Sequence, residues 1–265
     1  MAVELQFEKK PKFILALNDS LIMIKRSSTH IIRNTDQLLG TFFQPIMFLV
    51  LFTAVFGGAI QTGSSYINFL MAGIIVQTLA FGSTTTAIAV TNDLQKGIVD
   101  RFRSLPMSNL AVVNGHVVSD LFRNGISAAV MIVAGLAFGF RPTADFGDWL
   151  MIIGLIALFT LAISWLSAIV GMVAKSVEGV QWISFVVIFP LTFASSAFVD
   201  PSTMAAWLRG FAENQPVTHM VDAVRSLMIG TPMDDSGFWS VVWSVGILVV
   251  SMPVAAWLFR RKTTS

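Results

Sequence analysis

The runs LLGTFFQPIMFLVLFTAVFGGAI (residues 38–60) and YINFLMAGIIVQTLAFGSTTTAIAVT (residues 66–91) hold no ionised side chain, and only QTGSS separates them. Each exceeds the roughly 20 apolar residues that a helix needs to cross a hydrocarbon core. A helix is the form such a run takes there, because it satisfies its own backbone where no water can. Five linking residues force the two helices to be antiparallel neighbours. The stretch therefore decides the class, an all-α membrane protein.

Working outward, further weakly charged runs predict spans at about 118–140, 149–174, 179–199 and 238–259, six in all. The third is charge-free only from Asn124 and needs the turns before it to reach full length. KSVE, between the fourth and fifth, again requires antiparallel neighbours. Pro190 inside the fifth span predicts a bend, since it removes one backbone donor. Composition agrees: 55% of the 265 residues are hydrophobic, 12% are charged, and the mean hydropathy is +0.75. Soluble domains carry about twice that charge. The absence of cysteine excludes disulfides, thiolate catalysis and cysteine-held metal clusters. No polybasic tract points to nucleic acid, and no internal repeat is visible.

Charge sets the orientation. Residues 1–36, 92–123, 175–178 and 260–265 hold 14 of the 17 Lys and Arg and 8 of the 15 acids, a net of +6. Arg141, Arg209 and Arg225 face the other seven acids, a net of −4. The positive-inside rule then puts both termini in the cytoplasm, with the chain multi-pass in the membrane. MAVELQFEKKPK, at the start, is too polar for a signal-peptide core, so no cleavage is expected. Residues 13–32 have apolar positions at Ile14, Leu17, Leu21, Ile24 and Ile31 opposite Asn18, Asp19, Lys25 and Arg26. That is the pattern of an amphipathic helix lying against membrane lipids. Two regions follow: a cytoplasmic 1–36 with this helix, and a single six-helix transmembrane domain over 37–265 without a nucleotide-binding domain.

Residues 200–235 are the longest link between spans. After Asn214 and Pro216, helical spacing of Val217, Met220, Val221, Val224 and Met228 runs to Gly230, with His219, Asp222 and Arg225 opposite. This predicts an amphipathic helix on the outer side that dips into the headgroup layer and caps a pathway, completing an outer helical hairpin between the fifth and sixth spans.

Few motifs speak for chemistry. The acids fall almost entirely in loops, and no carboxylates are paired within a span. His30, His116 and His219 are too far apart in topology to share a metal and read as interfacial hydrogen-bonding groups. GGAIQTGS has the glycines of a phosphate loop but Ser64 where lysine is required. ATP hydrolysis by this chain alone is therefore not expected. Asp120 and Arg123, at i and i+3, read as a snorkelling pair at the start of the third span. Gly135 and Gly139, in GLAFG, have the small-xxx-small spacing of close helix packing. Gln44, Gln77, Thr84 and Gln181 are uncharged polar residues within spans that either bond between helices or line a substrate route.

KGIVDRFRSLPMS (residues 96–108) stands out against this background. Ile98, Phe102 and Leu105 share one side of a short helix ended by Pro106, while Asp100, Arg101 and Arg103 point elsewhere. Cations alone would anchor the loop on the positive side. The apolar and aromatic face adds a surface fit for the groove of a soluble partner.

KGIVDRFRSLPMSNLAVVNGHVVSD resembles the loop after the second span in the ABC type-2 exporter permeases, especially the daunorubicin/doxorubicin resistance branch. IFPLTFASSAFVDPSTMAAWLRGFAENQPVTHMVDAVRSLMIG is similar to the same branch around and after the fifth span. The resemblance covers essentially the whole chain. It implies a permease subunit that pairs with a second copy or a sister permease and with two cytoplasmic ABC ATPase subunits. ATP and Mg would be bound by those partners, with no cofactor on this chain. Carried over by position, Gly97, Ile98, Asp100, Arg101, Phe102, Arg103, Leu105 and Pro106 fall in the coupling helix that docks on the ATPase. Asn214, Pro216, Asp222 and Arg225 fall in the outer hairpin. Asp200–Pro201 and Ala205–Ala206 depart from the more proline-rich turn of the branch. The implied cargo is an amphipathic drug, lipid or glycolipid. A proton-coupled secondary transporter and a non-transporting membrane scaffold are the rival readings.

Overall fold

A computed structural model of the chain describes residues 35–58, 65–96 and 111–264, with side chains for 43–58, 65–96 and 112–261. The amphipathic segment 13–32 lies outside the described residues. Every regular element among those described is helical. In chain order they are α1 (Thr35–Phe56), α2 (Tyr66–Gly82), α3 (Thr84–Gln95), α4 (Ala111–Ala137), α5 (Phe146–Val173), α6 (Val177–Phe193), a 3₁₀ turn (Pro201–Thr203), α7 (Ala206–Asn214), α8 (Pro216–Ile229) and α9 (Ser236–Thr264).

Among the described residues four stretches are long and apolar enough to cross a membrane: Tyr66–Gln95, Val112–Ala137, Phe146–Val173 and Ser236–Arg261. Two of the six expected spans correspond to shorter apolar helices, Phe43–Phe56 and Val177–Phe193. The helix containing Pro190 ends three residues past it, so the predicted bend is close to a stop. The second span is one run of 30 residues broken at Ser83 into α2 and α3. The third begins at Ala111, seven residues before the expected 118. Polar Asn114, His116, Ser119, Asp120 and Arg123 hide this part of the helix from a hydropathy reading, yet most of them face neighbouring helices.

The broken span is central, with 72% of its most apolar window buried, whereas α9 is peripheral at 17%. Around the break the apolar core divides in two. A large cluster built on Leu70, Ile74, Leu79, Met131, Phe159 and Met220 fills the end capped by α7 and α8. A smaller one, with Val90, Val113, Trp165, Met172 and Phe259, fills the end at which α3 stops and α4 starts. Between the two lies a polar layer.

Two glycines allow close helix approach. A Cβ on Gly171 would lie 2.3 Å from the Ala87 carbonyl oxygen, and one on Gly73 would lie 2.2 Å from that of Ala197. Thr91 Oγ1 adds a hydrogen bond across the first contact, donating to the Gly171 carbonyl at 2.7 Å. The GLAFG expectation holds for one residue only. Gly135 packs on Met71, whereas Gly139 lies past the end of α4 at φ 102° in open space.

α8 starts with Pro216 in its first turn and ends on Gly230, whose φ of 66° suits a residue without a side chain. Its apolar face was expected to dip into headgroups. Instead Val217, Met220, Val221, Val224 and Met228 are buried in the large cluster. Arg225 pins the helix there. Its Nε donates to the Phe69 carbonyl at 2.9 Å, Nη1 to Asp222 at 2.7 Å and Nη2 to the Ser196 carbonyl at 2.6 Å. The guanidinium also lies 3.8 Å from the centroid of the Phe69 ring.

Two stability changes follow. Gly171→Ala overpacks against backbone and should cost about 1–3 kcal/mol, while Gly154→Ala, in open space, should cost nothing. Arg225→Gln removes a buried guanidinium that makes three hydrogen bonds and should cost about 3 kcal/mol. Thermal unfolding of the detergent-purified protein, followed by size-exclusion chromatography, ranks all three. Equal melting temperatures for the two glycine variants would contradict the packing assignment.

Candidate functional site

The residues expected to form the coupling helix, Gly97, Ile98, Asp100, Arg101, Phe102, Arg103, Leu105 and Pro106, lie outside the described residues. The helices on either side of them are described, and they are tied together. Asp93 Oδ2 on α3 and His116 Nε2 on α4 are 2.8 Å apart. Gln95 Nε2 donates to the Lys175 carbonyl at 2.8 Å, joining α3 to the turn after α5.

Two to three helical turns further in is the polar layer. Asp120 and Arg123 were expected to snorkel at a helix end. Because α4 starts at Ala111, they lie near its middle, and they are 1% and 6% exposed. Arg123 Nη2 donates to Asp120 Oδ1 and, at 2.5 Å, to the Gly82 carbonyl. Ser164 on α5 donates to Asp120 Oδ2, and its hydroxyl is 3.4 Å from that of Ser83. The pair is thus turned inward, where a charge without its partner would be costly.

Around this pair several polar atoms are buried without a hydrogen-bond partner. They include both amide atoms of Asn124, Nε of Arg123, Nε2 of Gln77, and the hydroxyls of Thr84, Thr86 and Thr160. Left unpaired, such a group costs about 1–3 kcal/mol, so each is open to a partner from a second arrangement of its neighbours. Of the four residues singled out for a substrate route, Gln77 and Thr84 come into this region. Gln44 and Gln181 are exposed on α1 and α6. The structure does not bring the four together.

At the opposite end is a cleft of about 590 Å³ between α8 and the start of α9. Asp222, Asp234 and Asp235 line it with Arg225, and His219 and Trp239 stack with ring centroids 6.1 Å apart. Burial pushes the Asp222 carboxyl up, opposed by the Arg225 charge. Burial likewise pulls Arg225 down to about 10, with Asp222 opposing, so it remains charged at neutral pH. His219 is lowered by burial, against the pull of Asp222, and is neutral there. Asp200 is held below the usual carboxylate range by its hydrogen bonds to Ser202. An acidic wall with an aromatic face favours a cationic, partly apolar molecule over an anion. Asn214 is exposed and bonds to the Gly210 carbonyl, while Pro216 opens α8, so of the predicted hairpin residues only Asp222 and Arg225 reach the cleft. Among the described residues no group of three or more His, Asp or Glu side chains is placed to hold a metal.

Sequence reasoning missed Ser164, Asn124, the Asp93–His116 bridge and Gln215. Gln215 Nε2 donates to the carbonyls of Leu191 at 2.7 Å and Ala194 at 3.1 Å, holding the end of α6 to the hairpin. Ser164 is one of three hydroxyls, with Thr160 and Ser167, in an apolar run, and Gln215 sits between Asn214 and Pro216. Those were the only signals, because the partners lie on other elements.

The profile of the family described as ABC-2 type transporter matches residues 19–229. A daunorubicin resistance ABC transporter permease protein, DrrB1 of Streptomyces coeruleorubidus, is 35% identical over 234 residues, covering 85% of this chain and 80% of the relative. A probable doxorubicin resistance ABC transporter permease protein, DrrC of Mycobacterium tuberculosis, is 25% identical over 255 residues, 94% of this chain and 91% of its own. Nodulation protein J of Rhizobium meliloti is 25% identical over 202 residues, 74% and 75% of the two chains. With its apolar helices and a match over most of its length, the chain belongs to the ABC-2 type transporter family, in the drug-resistance permease branch.

Proposed function

We propose that the chain is the transmembrane subunit of an exporter that moves an amphipathic molecule out of the cytoplasm or inner leaflet. The energy comes from ATP hydrolysed on two separate cytoplasmic subunits, which hold the nucleotide and Mg. A second permease copy or a sister permease completes the pathway. The termini face the cytoplasm of a bacterial plasma membrane, as the +6 and −4 charge split favours. The amphipathic segment in 1–36 and the coupling residues around 97–106 form the docking surface.

The observation that carries this reading is the tie between the helices flanking that segment. Asp93 and His116 join α3 to α4 at its base, and Arg123 joins α4 to the α2–α3 junction higher up. A push on residues 97–110 by a partner is thereby delivered to both helices as a unit and carried to the middle of the bundle. The acidic, aromatic cleft by α8 supports a role in release of a cationic amphipath on the far side.

Co-expression with the cognate ATPase should yield a complex whose ATP hydrolysis is stimulated by substrate. Arg101→Glu with Arg103→Glu should lower that stimulation at least about tenfold, since charge reversal in a docking helix costs on the order of 1.4 kcal/mol or more. Full stimulation with normal assembly would remove the docking role. In proteoliposomes, flux should stop when ATP is depleted and persist when a protonophore collapses the gradient. The reverse pattern would favour the secondary transporter.

A further inference from the structure

The span Tyr66–Gln95 is broken without a proline. At the break, Thr86 N–H donates to the Ser83 carbonyl at 3.0 Å, one residue short of the helical acceptor Gly82. The ladder is interrupted there, since α2 ends at Gly82 and α3 begins at Thr84. Arg123 Nη2 takes the Gly82 carbonyl instead. The local sequence GSTTT favours the break, because glycine, serine and β-branched threonines are weak helix formers and the hydroxyls compete for backbone groups. Ser83 does so, its hydroxyl donating to the Leu79 carbonyl at 2.9 Å. Gly82 is also fixed by space, since a Cβ there would lie 2.2 Å from Asn124 Oδ1.

The contacts at the break form a chain that ends beside Ser83. Arg123 holds Gly82 and Asp120, Asp120 accepts from Ser164, and Ser164 meets Ser83. Depth follows from the helical rise. Ser83 is about 15 Å along the helix from Asp93 and about 20 Å from Phe69, where Arg225 binds. The break therefore sits near the middle of a hydrocarbon core about 30 Å thick.

We propose that Gly82–Ser83 is a two-state hinge and that Arg123 is its latch. In the latched state, seen here, the span is broken and Arg123 caps the Gly82 carbonyl. In the unlatched state α2 and α3 join into one helix, Thr86 N–H takes the Gly82 carbonyl, and Arg123 is released. The released donor finds acceptors in the same region, where Asn124 Oδ1 and the hydroxyls of Thr84, Thr86 and Thr160 are buried and unpartnered. On this assignment the acceptors among these atoms are the partners of the second state. Only the trigger rests on the proposed ATP-driven function. α3 leads into residues 97–110 and α4 leads out of them, so a push there acts on the carbonyl and on the latch together.

α3 is about 18 Å long, so a change of about 20° at the hinge moves its far end about 6 Å. The chain has no cysteine, which permits clean spin labelling of Lys96→Cys and Arg261→Cys, both exposed at that end. The labelled chain, purified with its ATPase in lipid nanodiscs, is measured by pulsed electron resonance. Asp120→Asn with Arg123→Gln removes both charges, leaving no unpaired ion to prevent folding. Without nucleotide it should shift the Lys96–Arg261 distance by about 5 Å from the parent. Adding Thr86→Pro, which abolishes the N–H the straight helix needs, should restore the parental distance. Identical distances in the parent and the double variant overturn the latch, as does a shift that Thr86→Pro leaves in place. A shift in the variant, together with a parent that does not respond to a non-hydrolysable ATP analogue, would keep the latch and count against ATP as its trigger.

Discussion

The rest of this structure depends on what happens to a backbone carbonyl that loses its helical donor inside a bilayer. Water is not available to replace the donor, and an unsatisfied group there costs several kcal/mol. At Gly82 the replacement is the Arg123 guanidinium, a group that brings a full charge with it. That charge needs Asp120, and Asp120 in turn uses its second oxygen on Ser164. One broken helix thus recruits two further helices, and the polar layer that divides the apolar core is the consequence.

The same device appears a second time on the same helix. At its other end α2 offers the Phe69 carbonyl to Arg225, and Arg225 is paired with Asp222 three residues before it, as Arg123 is with Asp120. Two Asp-x-x-Arg pairs, DLFR on α4 and DAVR on α8, therefore hold α2 near both ends. They differ in setting. The Asp222 side chain is more than a third exposed and opens on the cleft, while Asp120 is sealed within the bundle. The α8 pair fastens a cap, and the α4 pair governs the break.

Much of the fold was legible because lipid simplifies the code. Charge-free runs located the starts of five of the helices to within about three residues, and Pro216 with Gly230 bounded α8. The reading failed where polar residues face protein instead of water or headgroups. Asn114 to Arg123 looked like a connecting segment because hydropathy counts residue type and not partner, so α4 was begun seven residues late. The same shift made Asp120 and Arg123 look terminal. The break at Ser83 was hidden for the opposite reason, since GSTTT is apolar enough to continue a span while its helix-forming tendency is poor. The apolar face of α8 is legible from its spacing, but its counterpart is not, because the facing residues of α2 lie about 150 positions earlier in the chain.

A buried ion pair rarely improves stability over well-packed apolar side chains of the same volume. The Asp120–Arg123 layer is more expensive than most, because it keeps Asn124 and several threonine hydroxyls without partners. A core meant only to be rigid would replace the whole layer by leucine and phenylalanine, as the two clusters on either side of it do. Its persistence between them has meaning if the bundle must hold two arrangements of similar free energy. Apolar packing alone tends to favour one, whereas a guanidinium with several alternative acceptors can exchange partners at small net cost. The layer also lies on a path from residues 97–110 toward the far cleft, since α3 and α4 are the elements that leave that segment. Coupling in this chain is therefore a matter of which group the Gly82 carbonyl accepts from.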